Sequence, residues 1–86
     1  MTESEALAEI RGLAGAGRVE FTDHALEEME AAGADFQDVM NALREATGCR
    51  YQSKNDRWKV RGPDGDGEDL TVVVFLESGI LVVTVW

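Results

Sequence analysis

Cys49-Arg50-Tyr51-Gln52-Ser53-Lys54, then Asn55-Asp56, then Arg57-Trp58-Lys59-Val60-Arg61 is the stretch whose reading decides the fold. Its side chains alternate with a period of two, the signature of β-strands with unlike faces. With Asn55-Asp56 as a two-residue turn, Lys54 pairs with Arg57, Gln52 with Lys59 and Arg50 with Arg61. All six then share one face, with Tyr51 opposite Val60 and Ser53 opposite Trp58 on the other. One face is apolar and the other almost wholly cationic. Like charges directly opposed weaken a sheet, so this clustering has a cost in stability.

Downstream, Gly62 to Asp69 is a loop broken by Pro63, Gly65 and Gly67. Leu70–Glu77 and Ile80–Trp86 form a second hairpin about Ser78-Gly79. Alternation places Leu70, Val72, Val74, Leu76, Leu81, Val83 and Val85 on the face that packs on helices. It places Thr71, Val73, Phe75, Ile80, Val82, Thr84 and Trp86 on the other, which is too apolar to be simply solvated. If both hairpins share a sheet, the cationic face continues into Val73, Phe75 and Trp86. Cations beside aromatic surface suit a polyanion or an acidic protein partner. A homodimer or the first helix is the alternative cover for this face.

Upstream the period is helical. Thr2 and Glu5 have capping-box spacing, and Leu7, Ile10 and Leu13 follow in a helix from about Ser4 to Ala14, ended by Gly15-Ala16-Gly17. Arg18–Phe21 is a short extended piece. Thr22 caps a second helix, with Phe21 and Leu26 spaced as a hydrophobic staple and Leu26, Met29 and Ala32 as its apolar stripe. Gly33 is its C′ residue. Asp35 caps a third helix with Phe36, Val39, Met40 and Leu43 on one face, ended by Gly48. The fold class expected for residues 1–86 is a single α+β domain: two to three N-terminal helices on one face of a C-terminal antiparallel sheet of about four to five strands.

Charge is distributed unevenly. The chain of 86 residues carries a net charge of −9. Residues 1–46 hold eleven Asp/Glu against three Arg, whereas all five cations of residues 47–86 fall between Arg50 and Arg61, opposed there by Asp56 alone. The acidic total disfavours broad, non-specific nucleic-acid binding, while the local cluster offers one place where an anion could dock. The single cysteine, Cys49, excludes an internal disulfide and a cysteine zinc site, and fits the reducing cytoplasm. The N-terminus lacks the basic start and apolar stretch of a signal peptide, and the longest apolar run is far too short to span a bilayer. A cytoplasmic protein with no membrane partner is expected.

Weaker signals remain. His24, the only histidine, falls in the first turn of the second helix, near Glu27 and Glu28. It is a candidate general base if a substrate is in reach, and otherwise structural. Asp64-Gly65-Asp66-Gly67-Glu68-Asp69 resembles part of a calcium loop but lacks the closing ligand spacing, so a solvated turn is expected and no metal or other cofactor is implied.

Phe21-Thr22-Asp23-His24-Ala25-Leu26-Glu27-Glu28-Met29 is followed by Asp38-Val39 and by Val72-Val73-Val74 and Leu81-Val82-Val83-Thr84-Val85. Over roughly residues 19–86 this pattern resembles a family of small bacterial domains with a His-Ala…Met…Asp-Val core. Those domains resemble the ribosome-associated or free mRNA-cleaving toxins of the RelE and MqsR kind, often encoded beside a zinc-finger antitoxin. The resemblance implies a toxin–antitoxin component: a sheet with helices on one face and an RNA-cleaving surface on the other, working through Lys, Arg, Gln and Tyr rather than a metal. It marks Lys59, Arg61 and His24 as catalytic candidates. Arg50, Gln52, Lys54, Arg57 and Trp86 are the substrate-binding candidates. The chain departs from that pattern in its acidity and in Glu30, Ala31 and Ala32, where many relatives carry an Arg. Those departures motivate an alternative: a non-catalytic regulatory or immunity-type protein that binds a protein partner, an antitoxin or a second copy through the same face.

Overall fold

Thr2, Thr22 and Asp35 each start a helix by accepting a backbone N–H with the side chain, from Glu5, Ala25 and Asp38 respectively. The Thr2–Glu5 pair closes into a full capping box, and so does Asp35–Asp38. In the computed structural model, which describes residues 1–86, these helices are α1 (Glu3–Gly15), α2 (Asp23–Ala32) and α3 (Phe36–Arg44). Gly33 ends α2 at a φ of 70°, the left-handed conformation that favours glycine. Five strands complete the chain: β1 (Val19–Phe21), β2 (Gly48–Gln52), β3 (Arg57–Pro63), β4 (Asp69–Leu76) and β5 (Ile80–Val85). They form one sheet in the order β1-β5-β4-β3-β2, antiparallel except for the parallel β1–β5 edge. The fold is therefore α+β, with the three N-terminal helices on one face of a mostly antiparallel sheet. No helix is long and apolar enough to cross a membrane.

One apolar cluster holds the layers together. Ile10, Ala25, Met29, Val39 and Leu43 meet Trp58, Val60, Val72, Val74, Ile80, Val82 and Val85. α2 lies on β5, α3 crosses β3 and β4, and α1 packs against α3 and β2. Where α3 crosses β3 the backbones touch: a Cβ on Gly62 would overlap the Ala42 carbonyl. The face of α3 buries Val39, Met40 and Leu43 as its spacing predicts, with Phe36 the exception, whereas the face of α2 is rotated from expectation. In α2 the buried residues are Ala25 and Met29, while Leu26 is exposed. Phe36 is half exposed, and its ring lies tilted against that of Phe21 in β1, 5.2 Å between centroids.

The first hairpin slides by two residues. Gln52 pairs with Arg57, Arg50 with Lys59, and Gly48 with Arg61. A two-residue hairpin turn of either common type requires positive φ at its first central residue, here Asn55. Only Asp56 adopts one, at 54°, so the loop widens to Ser53–Asp56. Because the strand period is two, a slide of two leaves every side chain on its expected face. Lys54 alone among the cations leaves the strand and enters the turn.

The second hairpin breaks the expected alternation. Val73 pairs with Thr84 but Val74 with Val82, so Val83 is an extra, bulged residue in β5. The N–H of Thr22 donates to the Val82 carbonyl at 3.0 Å and its hydroxyl to the Val83 carbonyl at 3.3 Å. Consecutive carbonyls of a regular strand point opposite ways, so this double contact marks the bulge. As a consequence Ile80 and Val82 are buried in the core, and Leu81 turns to the face away from the helices.

Candidate nucleic-acid interface

Strand pairing arranges the face away from the helices in three rows. Across the sheet from β1 to β2 the first row reads Glu20, Leu81, Phe75, Arg57, Gln52. The second reads Thr84, Val73, Lys59, Arg50. The third reads Trp86, Thr71, Arg61, Gly48, with Trp86 and Thr71 exchanging both backbone hydrogen bonds at 2.8 and 2.9 Å. One half of the face is thus apolar and the other cationic. No helix covers it.

Each cation has a different attachment. The Arg57 guanidinium lies 5.0 Å above the Phe75 ring and donates at 2.9 Å to the Asn55 carbonyl, so it also holds the turn. Lys59 Nζ sits 5.4 Å above the Trp86 ring. These stems help bury Val73, which is 6% exposed in the middle of the face. Arg61 Nη2 donates to Asp69 Oδ2 at 2.9 Å, with both side chains more than half exposed. Arg50 has no hydrogen-bond or ion-pair partner.

Arg50, Lys59 and Arg61 line an open depression of about 530 Å³, together with Thr47, Gly48, Cys49 and Asp69. Nothing lies within 4 Å of where a Gly48 side chain would begin, so the floor is open there. A second depression, about 450 Å³, lies at the opposite edge near Arg18, Glu20, Glu77 and Leu81. Its two carboxylates against one arginine make it a poor anion site.

Of the residues marked in the sequence, Arg50, Gln52, Arg57, Lys59, Arg61 and Trp86 share the open face. Lys54 is displaced into the turn. His24 is elsewhere: it lies in the first turn of α2, in the helical layer, with Nε2 3.6 Å from Glu28 Oε1. The capped turn at Thr22 carries the chain onto the helical side of the sheet before His24 is reached, which separates it from Lys59 and Arg61. Tyr51 occupies the helix side of β2 and donates from its hydroxyl to Asp56 Oδ1 at 2.7 Å. That bond holds the phenol proton and raises its pKa. Cys49, half-buried, donates to the Glu3 carbonyl at 3.3 Å, and burial raises the thiol pKa as well, which leaves it an inert thiol.

Thr47, which sequence analysis passed over, lines the depression, and two further residues were read there in other roles. Gly48 read only as a helix terminator, and Asp69 as part of an acidic loop. Both become visible only through pairing, which sets Gly48 beside Arg61 and Asp69 one diagonal away. The acidic loop itself is a turn: Asp64 Oδ1 accepts the N–H groups of Asp66 and Glu68 at 2.8 and 2.9 Å.

Compared with known proteins, the chain matches no family model and no curated protein. What the face can do follows from its own chemistry. Three convergent cations on an open floor, beside an exposed tryptophan, can hold a phosphate and stack a base or apolar group next to it.

Proposed function

We propose that this protein is a toxin-like component of a bacterial toxin–antitoxin pair. In this reading it works in the cytoplasm, holds single-stranded RNA on its open sheet face and cleaves it without a metal ion. The observation that carries the reading is the convergence of Arg50, Lys59 and Arg61 on one uncovered depression beside Trp86. In such a reaction the ribose 2′-hydroxyl gives up its proton to solvent as its oxygen attacks the adjacent phosphorus, and the 5′-oxygen leaves and takes a proton from solvent, giving a 2′,3′-cyclic phosphate and a 5′-hydroxyl. Negative charge grows on the phosphoryl oxygens at the pentacoordinate stage, and in this reading Lys59 and Arg61 stabilise it. His24 has no part in this version, because it lies in the other layer.

The test is RNA incubated with purified protein in excess chelator. The reading expects cleavage, lost in the Lys59→Ala/Arg61→Ala double variant. Intact RNA, together with no binding of an RNA oligonucleotide at low salt, overturns it.

A second reading has its own support. Leu81, Phe75 and Trp86, around the buried Val73, form an apolar strip continuous with the cations, which is the composition of a protein-docking surface. A non-catalytic regulatory or immunity-type protein would use it to bind an acidic partner, an antitoxin or a second copy of itself. Light scattering that gives a monomer at all concentrations, with no partner retained in a pull-down, removes this alternative.

A further inference from the structure

Asp69 is the one carboxylate that lines the cationic depression. Its place is set by the β3–β4 register, in which Asp69 pairs with Pro63 and Thr71 with Arg61. Arg61 therefore reaches diagonally along the face to Asp69 on one side. On its other side, directly opposite on β2, is Gly48, which offers no side chain and open space. The guanidinium has two places to go: to its own carboxylate, or over the empty floor at Gly48, beside the paired Arg50 and Lys59.

We infer that Asp69 is a built-in competitor that occupies Arg61 until a phosphodiester takes its place over Gly48, and so sets the affinity of the site. The inference rests on the open face being the anion-binding surface. The Arg61–Asp69 pair is solvent-exposed on both sides, and exposed pairs of this kind are weak. A phosphate over Gly48 is within the compass of three cations at once, so it outbids a single carboxylate. A chain of net charge −9 gains selectivity from this device. Dilute monoanions leave Arg61 on Asp69, whereas a nucleic-acid strand that also engages Arg50 and Lys59 releases it.

The experiment measures binding of a fluorescent twelve-residue oligouridylate across a salt series, with inorganic pyrophosphate followed by NMR as a second probe. Asp69→Asn keeps the shape of the side chain and removes its charge; it should bind about two- to fivefold more tightly with an unchanged salt slope. Glu68→Gln removes the same charge one residue away and should change affinity little. Arg61→Ala should weaken binding and reduce the salt slope by about 0.7, and in the Arg61→Ala background Asp69→Asn should give no gain. Gly48→Val, with space to accept it, should weaken both probes while the protein stays folded. If the oligouridylate binds and Asp69→Asn is no tighter, or is tighter equally with and without Arg61, the competitor role fails while RNA binding stands. If only pyrophosphate binds, and binds Asp69→Asn more tightly, the competitor role stands and the RNA reading fails. If neither probe binds any variant, both fail.

Discussion

The two hairpins of this sheet depart from simple alternation in opposite ways. In β2–β3 the strands slide by two residues and every side chain keeps its face. In β4–β5 a single extra residue, Val83, reverses the faces of the strand that precedes it. An even displacement is silent and an odd one is not, because the pleat repeats every two residues. The cationic face is therefore the same with either turn, whereas the apolar strip beside it presents Leu81 in place of Ile80 and Val82. The composition of the open face is the joint product of one silent shift and one loud one.

The largest expected effect tests the loud one. Val82 is fully buried, so Val82→Asp leaves an unpaired charge in the core and should cost about 3–5 kcal/mol, enough to unfold much of the protein. Leu81→Asp, one residue away on the open face, should cost under about 1 kcal/mol. Chemical denaturation of the two variants decides it. Regular alternation predicts the reverse order, so a destabilised Leu81→Asp beside a stable Val82→Asp would remove the bulge.

A second large effect lies on the core side of β3. Gly62→Ala sets a Cβ against the Ala42 carbonyl, a backbone contact that no rotamer change relieves, and should cost more than about 3 kcal/mol. Lys59→Ala and Arg61→Ala, on the other face of the same strand, lose only an exposed cation–π contact and an exposed ion pair and should each move stability by no more than about 1 kcal/mol. Thermal melts of all three separate the face that holds the fold from the face that is free to bind. A loss in the two cation variants as large as that of Gly62→Ala would make the cationic row a structural element.

How much of this was legible in the sequence follows the same division. Arg50, Lys59 and Arg61 alternate with Tyr51, Trp58 and Val60, so polarity marks each face and the assignment tolerates an error in the turn. Ile80-Leu81-Val82-Val83-Thr84-Val85 contains no charged residue, so alternation had nothing to lock onto and the bulge left no trace. What announces it is Thr22, 61 residues away, through its contacts to two successive carbonyls. The caps at Thr2, Thr22 and Asp35 were legible because capping is local. The α2 stripe was not: Ala25 and Leu26 are adjacent, and which of them faces β5 depends on how the helix docks. The depression required two long-range facts, Gly48 beside Arg61 and Asp69 across from Pro63, and neither leaves a local mark.

The next effect concerns binding first. Each of Lys59 and Arg61 offers a charge-assisted contact to phosphate, so either alanine variant should weaken oligonucleotide binding about tenfold. Arg57→Ala should do two things at once. It removes a cation from the face, and it frees the Asn55 carbonyl and the Phe75 ring that its guanidinium covers. A fall in melting temperature should accompany its fall in affinity, and it should be larger than that of Lys59→Ala, since Lys59 covers the Trp86 ring but holds no turn carbonyl. Equal melting shifts in both would mean that the turn does not depend on Arg57.

The smallest effect sharpens the silent shift. Had Asn55-Asp56 been a two-residue turn, Lys54 would lie in the cationic row, directly across from Arg57. The observed loop takes it out of the sheet, four residues in sequence from Arg50, the nearest cation on β2. Lys54→Ala should therefore change RNA affinity by less than about twofold, the size expected of a charge that contributes only through the long-range field. Arg50→Ala, which empties one wall of the depression, should cost several times more. The two variants carry the same change in net charge, so only position distinguishes them. Equal losses would show that the face attracts RNA through its total charge rather than through the placement of Arg50, Lys59 and Arg61 around Gly48.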